Sequence, residues 1–149
     1  DICGAKLKPV LDTVKYAYNK GLWIEITTLL IQGQNDSDDE IRSIAKFLKD
    51  IDDSIPWHLS AFHPTYKMLD IPRTPASTLH RAYKIAKEEG LKHVYVGNID
   101  DNDYESTYCP QCKNRVIDRS GHIGSLVTNK LDENGTCPYC RYKLEGVWS

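Results

Sequence analysis

Apolar residues in the first two thirds of this chain alternate between two periods. Leu7, Val10, Leu11, Val14 and Tyr18 recur at helical spacing, and Gly21 follows where a C-terminal cap belongs. Residues 22–31 form a β-rich apolar run, the pattern of a strand buried on both faces. Gly33-Gln34-Asn35-Asp36 reads as a turn. Ser37-Asp38-Asp39-Glu40 matches a capping box, and Ile41, Ile44, Ala45, Leu48 and Ile51 supply the stripe of the helix behind it. Residues 57–62 form a second short strand after Pro56. Thr74-Pro75 opens a third helix, with Thr as cap and Pro at the first helical position; its stripe is Leu79, Ala82, Tyr83 and Ala86, and Gly90 ends it. Residues 93–96 form the third strand.

Strand starts near 22, 57 and 93 give a period of about 35 residues, long enough for a helix to cross back to a parallel neighbour. Residues 1–98 are therefore read as βα units of an α/β fold. Three parallel strands cannot close a barrel or cover both faces of a sheet well, so this unit reads as the C-terminal part of something larger, or as one that oligomerises. The chain opens on Asp1, which reads as a fragment boundary or cleavage point. Residues 99–108 are polar and acidic and read as a linker.

The rest of the chain carries a different signal. Cys109-Pro110-Gln111-Cys112 and Cys137-Pro138-Tyr139-Cys140 are two C-x2-C turns separated by 24 residues. Such a turn aims two thiolates at one point, and two turns complete a tetrahedron around zinc. Rubredoxin-type iron in the same four sulfurs, a redox dithiol and disulfides are the alternatives. Residues 109–149 are thus expected to be a four-cysteine zinc ribbon, held by metal rather than by a core. Short strands are expected at Arg115–Asp118 and 125–129, with turns at Gly121, Gly124 and Gly135.

Composition narrows the function class. With 40% apolar and 27% charged residues the chain is globular. A net charge of −2 leaves no broad positive field for nucleic acid. There is no run of 18 apolar residues and no visible signal peptide, so the expectation is a cytoplasmic protein without a membrane segment.

Parallel α/β folds bind ligands at the carboxyl ends of their strands. Here those ends carry residues 32–36, 63–67 and Gly97-Asn98. His63, followed by Pro64, Tyr66 and Lys67, stands out as a ligand contact, against the alternative of a histidine satisfied by nearby backbone. Asn98 serves either a ligand or merely its turn. His58 is read as core or as support behind the site, facing a helix. His80 is read as surface, His122 as a ligand type left without a place once four cysteines fill the tetrahedron, and Cys3 as an inert thiol.

Several segments together resemble a known family. They are the run Gly4-Ala5-Lys6-Leu7-Lys8-Pro9-Val10-Leu11, residues 23–31 with Gly33 and Asn35-Asp36-Ser37-Asp38, residues 56–64 with Tyr66-Lys67-Met68, and Val94-Tyr95-Val96-Gly97-Asn98. They resemble the radical SAM enzymes of the AmmeMemoRadiSam system, which are similar to the activating enzyme of pyruvate formate-lyase. Thr107-Tyr108-Cys109-Pro110 and the closing Gly146-Val147-Trp148 are similar to that family's C-terminal extension. The resemblance implies a partial (βα)6 barrel that binds a 4Fe–4S cluster through a C-x3-C-x2-C loop and lays S-adenosylmethionine across its mouth. Phe62-His63 matches a cofactor-contacting histidine of the activating enzymes. Thr27 and Thr28 stand where those relatives carry an arginine, which makes Thr27, with Asn98, a further candidate contact.

This chain has neither the C-x3-C-x2-C motif nor a Gly-Gly-Glu-like segment. The resemblance therefore implies the C-terminal half of such an enzyme, inactive alone, with the N-terminal half of the barrel or a homologous chain as partner and a protein as possible substrate. The competing reading is a zinc-ribbon module for a protein or nucleic-acid partner, using Lys113, Arg115, Arg119, Lys130, Arg141 and Lys143; the acidic residues among them argue against nucleic acid.

Overall fold

Three parallel strands, β1 (Ile26–Leu30), β2 (Trp57–Ala61) and β3 (Val94–Gly97), lie side by side in that order in a computed structural model that describes residues 4–99, 101–119 and 128–148. Helices α2 (Asp38–Ile51) and α3 (Ala76–Glu88) make the two crossovers, and α1 (Leu7–Asn19) precedes β1. Thr27 pairs with His58 and His58 with Tyr95, which fixes the register of all three strands.

The register divides the sheet into two unlike faces. Leu30, Trp57, Leu59, Ala61, Val94 and Val96 point toward α2 and α3 and bury against Ile41, Ala45, Leu48, Leu79, Ala82 and Ala86. The alternate residues Thr27 and Leu29 are exposed, and His58, Ser60, Tyr95 and Gly97 are half-buried. The expectation that the first strand is buried on both faces is therefore corrected. Residues 26–30 alone form the strand, it is an edge strand, and only its helix-facing side is covered. The same register corrects His58, which faces the open side rather than a helix.

Local signals explain most of the elements. Ser37 accepts from the Glu40 backbone N–H at 3.3 Å and its hydroxyl donates to the Glu40 carboxylate at 2.7 Å, so the capping box forms in a variant way. Gly21, at φ +74°, carries the chain out of α1. Thr74 does not cap α3. It is 1% exposed, and its hydroxyl donates to Leu30 O at 2.5 Å and accepts from Phe62 N–H at 3.1 Å. It stitches the carboxyl ends of β1 and β2 together instead.

The segment read as a linker holds α4 (Asn102–Glu105) and β4 (Thr107–Tyr108). Tyr104 of α4 stacks on His80 and meets Tyr83 edge-on, and His80 Nε2 lies 2.8 Å from Asp101 Oδ2. His80 is therefore part-buried, not a free surface residue. Strand β4 pairs antiparallel with β5 (Arg115–Asp118), and β5 with β6 (Thr128–Asn129). Cys3, His122, Gly121, Gly124 and residues 125–127 lie outside the described residues.

The cysteine module meets the α/β unit at the amino ends of the strands. Lys92 Nζ reaches Asp53 at 3.0 Å and Glu145 at 2.9 Å. Tyr95 OH lies 3.0 Å from Thr107 Oγ1, and the Arg119 guanidinium covers the Tyr95 ring. No helix of the described residues is long and apolar enough to cross a membrane.

Candidate metal centre and ligand-facing strand ends

The two C-x2-C turns fold alike. In the first, Cys109 N–H donates to Asn114 O at 2.9 Å and Lys113 N–H to Cys109 O at 2.9 Å. In the second, Cys137 N–H donates to Tyr142 O at 2.8 Å and Arg141 N–H to Cys137 O at 3.0 Å. Lys113 and Arg141 take φ values of +62° and +66°, the left-handed conformation in which glycine is the easier residue.

Cys109 and Cys137 are buried, and Cys112 and Cys140 are half-buried. Their sulfurs lie within 4.8 Å of one another; Cys109 to Cys140 is 3.6 Å and Cys112 to Cys137 is 3.7 Å. A tetrahedron with bonds of about 2.3 Å has edges of about 3.8 Å, so the cage fits a zinc-sized ion. The Asn114 amide donates to Cys112 Sγ at 3.3 Å, and this bond, with the Asn114 backbone N–H, draws the Cys112 thiol down to about 6. Burial pushes the Cys109 thiol up, as for a group that needs a cation to ionise. Val116, Leu144, Tyr142 and Trp148 pack around the quartet. Four sulfurs fill a tetrahedron and leave no open position, the form of a structural site. The structure thus holds a four-cysteine group able to bind a metal such as zinc, within a mixed α/β fold of small sheets.

The far ends of the parallel strands hold the second candidate site. His63 is exposed, and its Nε2 lies 3.5 Å from Asn98 O. Asn98 sits at φ +62°, and its side-chain amide donates to Ala61 O at 3.3 Å. That amide is committed to holding the exit of β2, so the backbone carbonyl of Asn98, not its side chain, faces His63. Arg73 carries no signal in the sequence. Its guanidinium donates to the same carbonyl at 2.9 Å. Beside it a cavity of about 320 Å³ is lined by Arg73, Thr74, Pro75, Ala76, Ile99 and Asp101. Lys67 rests over the exposed Tyr66 ring.

Thr27 does not join His63 and Asn98. It lies beside His58, five residues before His63, which is roughly 16 Å down the strand at 3.3 Å per residue. Its row belongs to a separate polar group on the open face. There His58 Nε2 bonds Glu25 at 2.8 Å, Trp23 Nε1 donates to Glu25 at 3.1 Å, and His58 stacks on Tyr95. Burial resists ionisation of Glu25, but the bonds from Trp23 and His58 win and hold its carboxyl below the usual range.

No protein-family model matches the sequence. An uncharacterized protein of Methanocaldococcus jannaschii is 41% identical over 148 residues. The match covers 98% of this chain and 44% of that protein, so the chain spans less than half the length of its relative.

Proposed function

We propose that the chain is the C-terminal portion of a larger parallel α/β enzyme of the radical SAM activating type, and that its four-cysteine ribbon holds zinc in a structural role. The observation that carries this reading is the sheet itself. Among the described residues helices cover one face only, the ribbon reaches the other face only at the amino ends, β1 is left as an open edge, and His63 and Arg73 gather at the carboxyl ends. A parallel sheet normally has both faces covered. In a barrel the open face becomes the interior, where Glu25, Thr27, His58 and Tyr95 would line the floor. The longer relative leaves room for the further βα units that this reading needs.

On this reading the 4Fe–4S cluster comes from outside residues 1–149, either from the N-terminal half of the same barrel or from a homologous chain, and a protein is the candidate substrate. Bound beside the reduced cluster, S-adenosylmethionine would supply a 5′-deoxyadenosyl radical. The residues present here bind and orient. His63 can donate one hydrogen bond and accept another, which suits the cofactor's ribose or adenine. Arg73 offers a fork for its carboxylate. The ribbon sits at the opposite, amino end of the strands and takes no part at the mouth.

The alternative of a ribbon that docks on nucleic acid is weakened by its own arginines. Arg115 turns inward to Asp103, Asp118 and Tyr108, and Arg119 to Thr107 and Glu105 O. The test is calorimetric titration of S-adenosylmethionine into cluster-loaded full-length protein. His63→Ala should weaken binding by roughly 5- to 150-fold with zinc content unchanged, the loss expected for one hydrogen bond with or without a stranded partner. Equal affinities would remove His63 from the cofactor site.

A further inference from the structure

A cavity of about 420 Å³ lies at the seam between α3 and the cysteine ribbon, at the amino ends of the strands and so away from His63 and Arg73. Its volume falls in the range of small-molecule sites. Tyr83, Tyr104 and Tyr108 wall it, with the Tyr83 and Tyr104 rings edge-on at 4.8 Å. Lys87 enters from α3 and Lys113 from the first cysteine turn.

These two lysines differ from the others nearby in their partners. Lys87 Nζ donates to Leu91 O at 2.9 Å and Lys92 O at 2.7 Å, and Lys113 Nζ to Pro110 O at 2.5 Å. Among the described residues neither pairs with a carboxylate. The acids close by are taken, Asp103 by Arg115, and Asp53 and Glu145 by Lys92. An ammonium has three protons, so Lys87 keeps one beyond its two carbonyls. Burial, with a smaller push from Lys113, holds the Lys87 ammonium below its ordinary pKa.

We propose that this cavity binds a small aromatic phosphate monoester of mononucleotide size, its phosphate between Lys87 and Lys113 and its ring against the three tyrosines. Two cations match a group that carries nearly two negative charges at neutral pH. Stacking on tyrosine gives the flat end its affinity. A polyanion is disfavoured, because the cavity is small and the chain carries a net charge of −2. The proposal does not depend on the radical-enzyme reading. Because Cys109 and Pro110 belong to the same wall, an occupant would also brace the metal turn.

The test uses zinc-loaded full-length protein and three probes in calorimetry: 5′-AMP, adenosine and inorganic phosphate. 5′-AMP should bind at submillimolar concentration, and each half-probe at least about tenfold more weakly. Lys87→Met should weaken 5′-AMP binding by about tenfold or more, while His63→Ala leaves it unchanged. Saturating 5′-AMP should also slow zinc loss to a chelator in the unaltered protein, a measurement that needs no variant to fold. Absence of 5′-AMP binding at millimolar concentration, indifference to Lys87→Met, loss of binding in His63→Ala, or an unchanged rate of zinc loss would each overturn the proposal.

Discussion

Replacing Thr74 with Val removes one hydroxyl from the point where two strands are held together. The side chain is 1% exposed, and the hydroxyl serves both Leu30 O and Phe62 N–H. Valine keeps the shape but offers neither bond. A buried polar group left without its partner costs about 1–3 kcal/mol, and two such groups together put the loss at about 2–6 kcal/mol. That is a large share of a typical total of about 5–15 kcal/mol. With a urea slope of about 2 kcal/mol per molar, the midpoint should fall by about 1–3 M. Thr74→Ser keeps the hydroxyl and loses one methyl, so it should cost only about 1 kcal/mol. The assay is urea unfolding followed by far-UV circular dichroism, with zinc content measured in parallel and expected unchanged, since the ribbon lies at the other end of the strands. A Thr74→Val midpoint within error of the wild type would refute the stitch.

Zinc removal by a chelator should release residues 109–119 and 128–148 to hydrogen exchange while β1, β2 and β3 stay protected, because the ribbon's small apolar cluster depends on the metal; equal loss in both parts would contradict this. Gly135→Ala should disturb the ribbon by about 1–3 kcal/mol and shift Trp148 emission, since an added Cβ would lie 2.2 Å from Trp148 Nε1 at a φ of +76°. At the seam, His93 Nε2 is buried without a hydrogen-bond partner, 3.6 Å from Glu145. Burial outweighs the pull of Glu145 and holds the His93 imidazole below its ordinary pKa, so the unfolded chain binds this proton more readily than the folded one. Stability should therefore fall as pH drops below about 6.5, and His93→Gln should flatten that dependence in urea titrations run between about pH 5 and 8.

Periodicity makes the parallel strands and their crossover helices legible, because α2 and α3 bury stripes that the sequence spaces at helical intervals. Spacing alone locates the cysteine quartet. The first strand misleads because an apolar run fits a parallel strand inside a complete sheet equally well, and nothing in residues 22–31 says that one face lacks a covering layer among the described residues. Thr74-Pro75 has the letters of a helix start, yet the hydroxyl satisfies two longer-range backbone groups from β1 and β2, which no local motif encodes. Arg73 is silent in the sequence, since the loop after β2 brings it back to Asn98 only in three dimensions. His58 can be placed by counting, because alternation puts it on the side opposite Trp57 and Leu59.

The most direct test of the central claim is anaerobic reconstitution and reduction of the full-length protein with S-adenosylmethionine, followed by chromatographic detection of 5′-deoxyadenosine, with residues 1–149 treated identically. 5′-Deoxyadenosine is expected from the longer protein that the proposal requires and none from residues 1–149, which lack the three-cysteine motif. Cleavage by residues 1–149 alone, or no cleavage by cluster-loaded full-length protein, would contradict it.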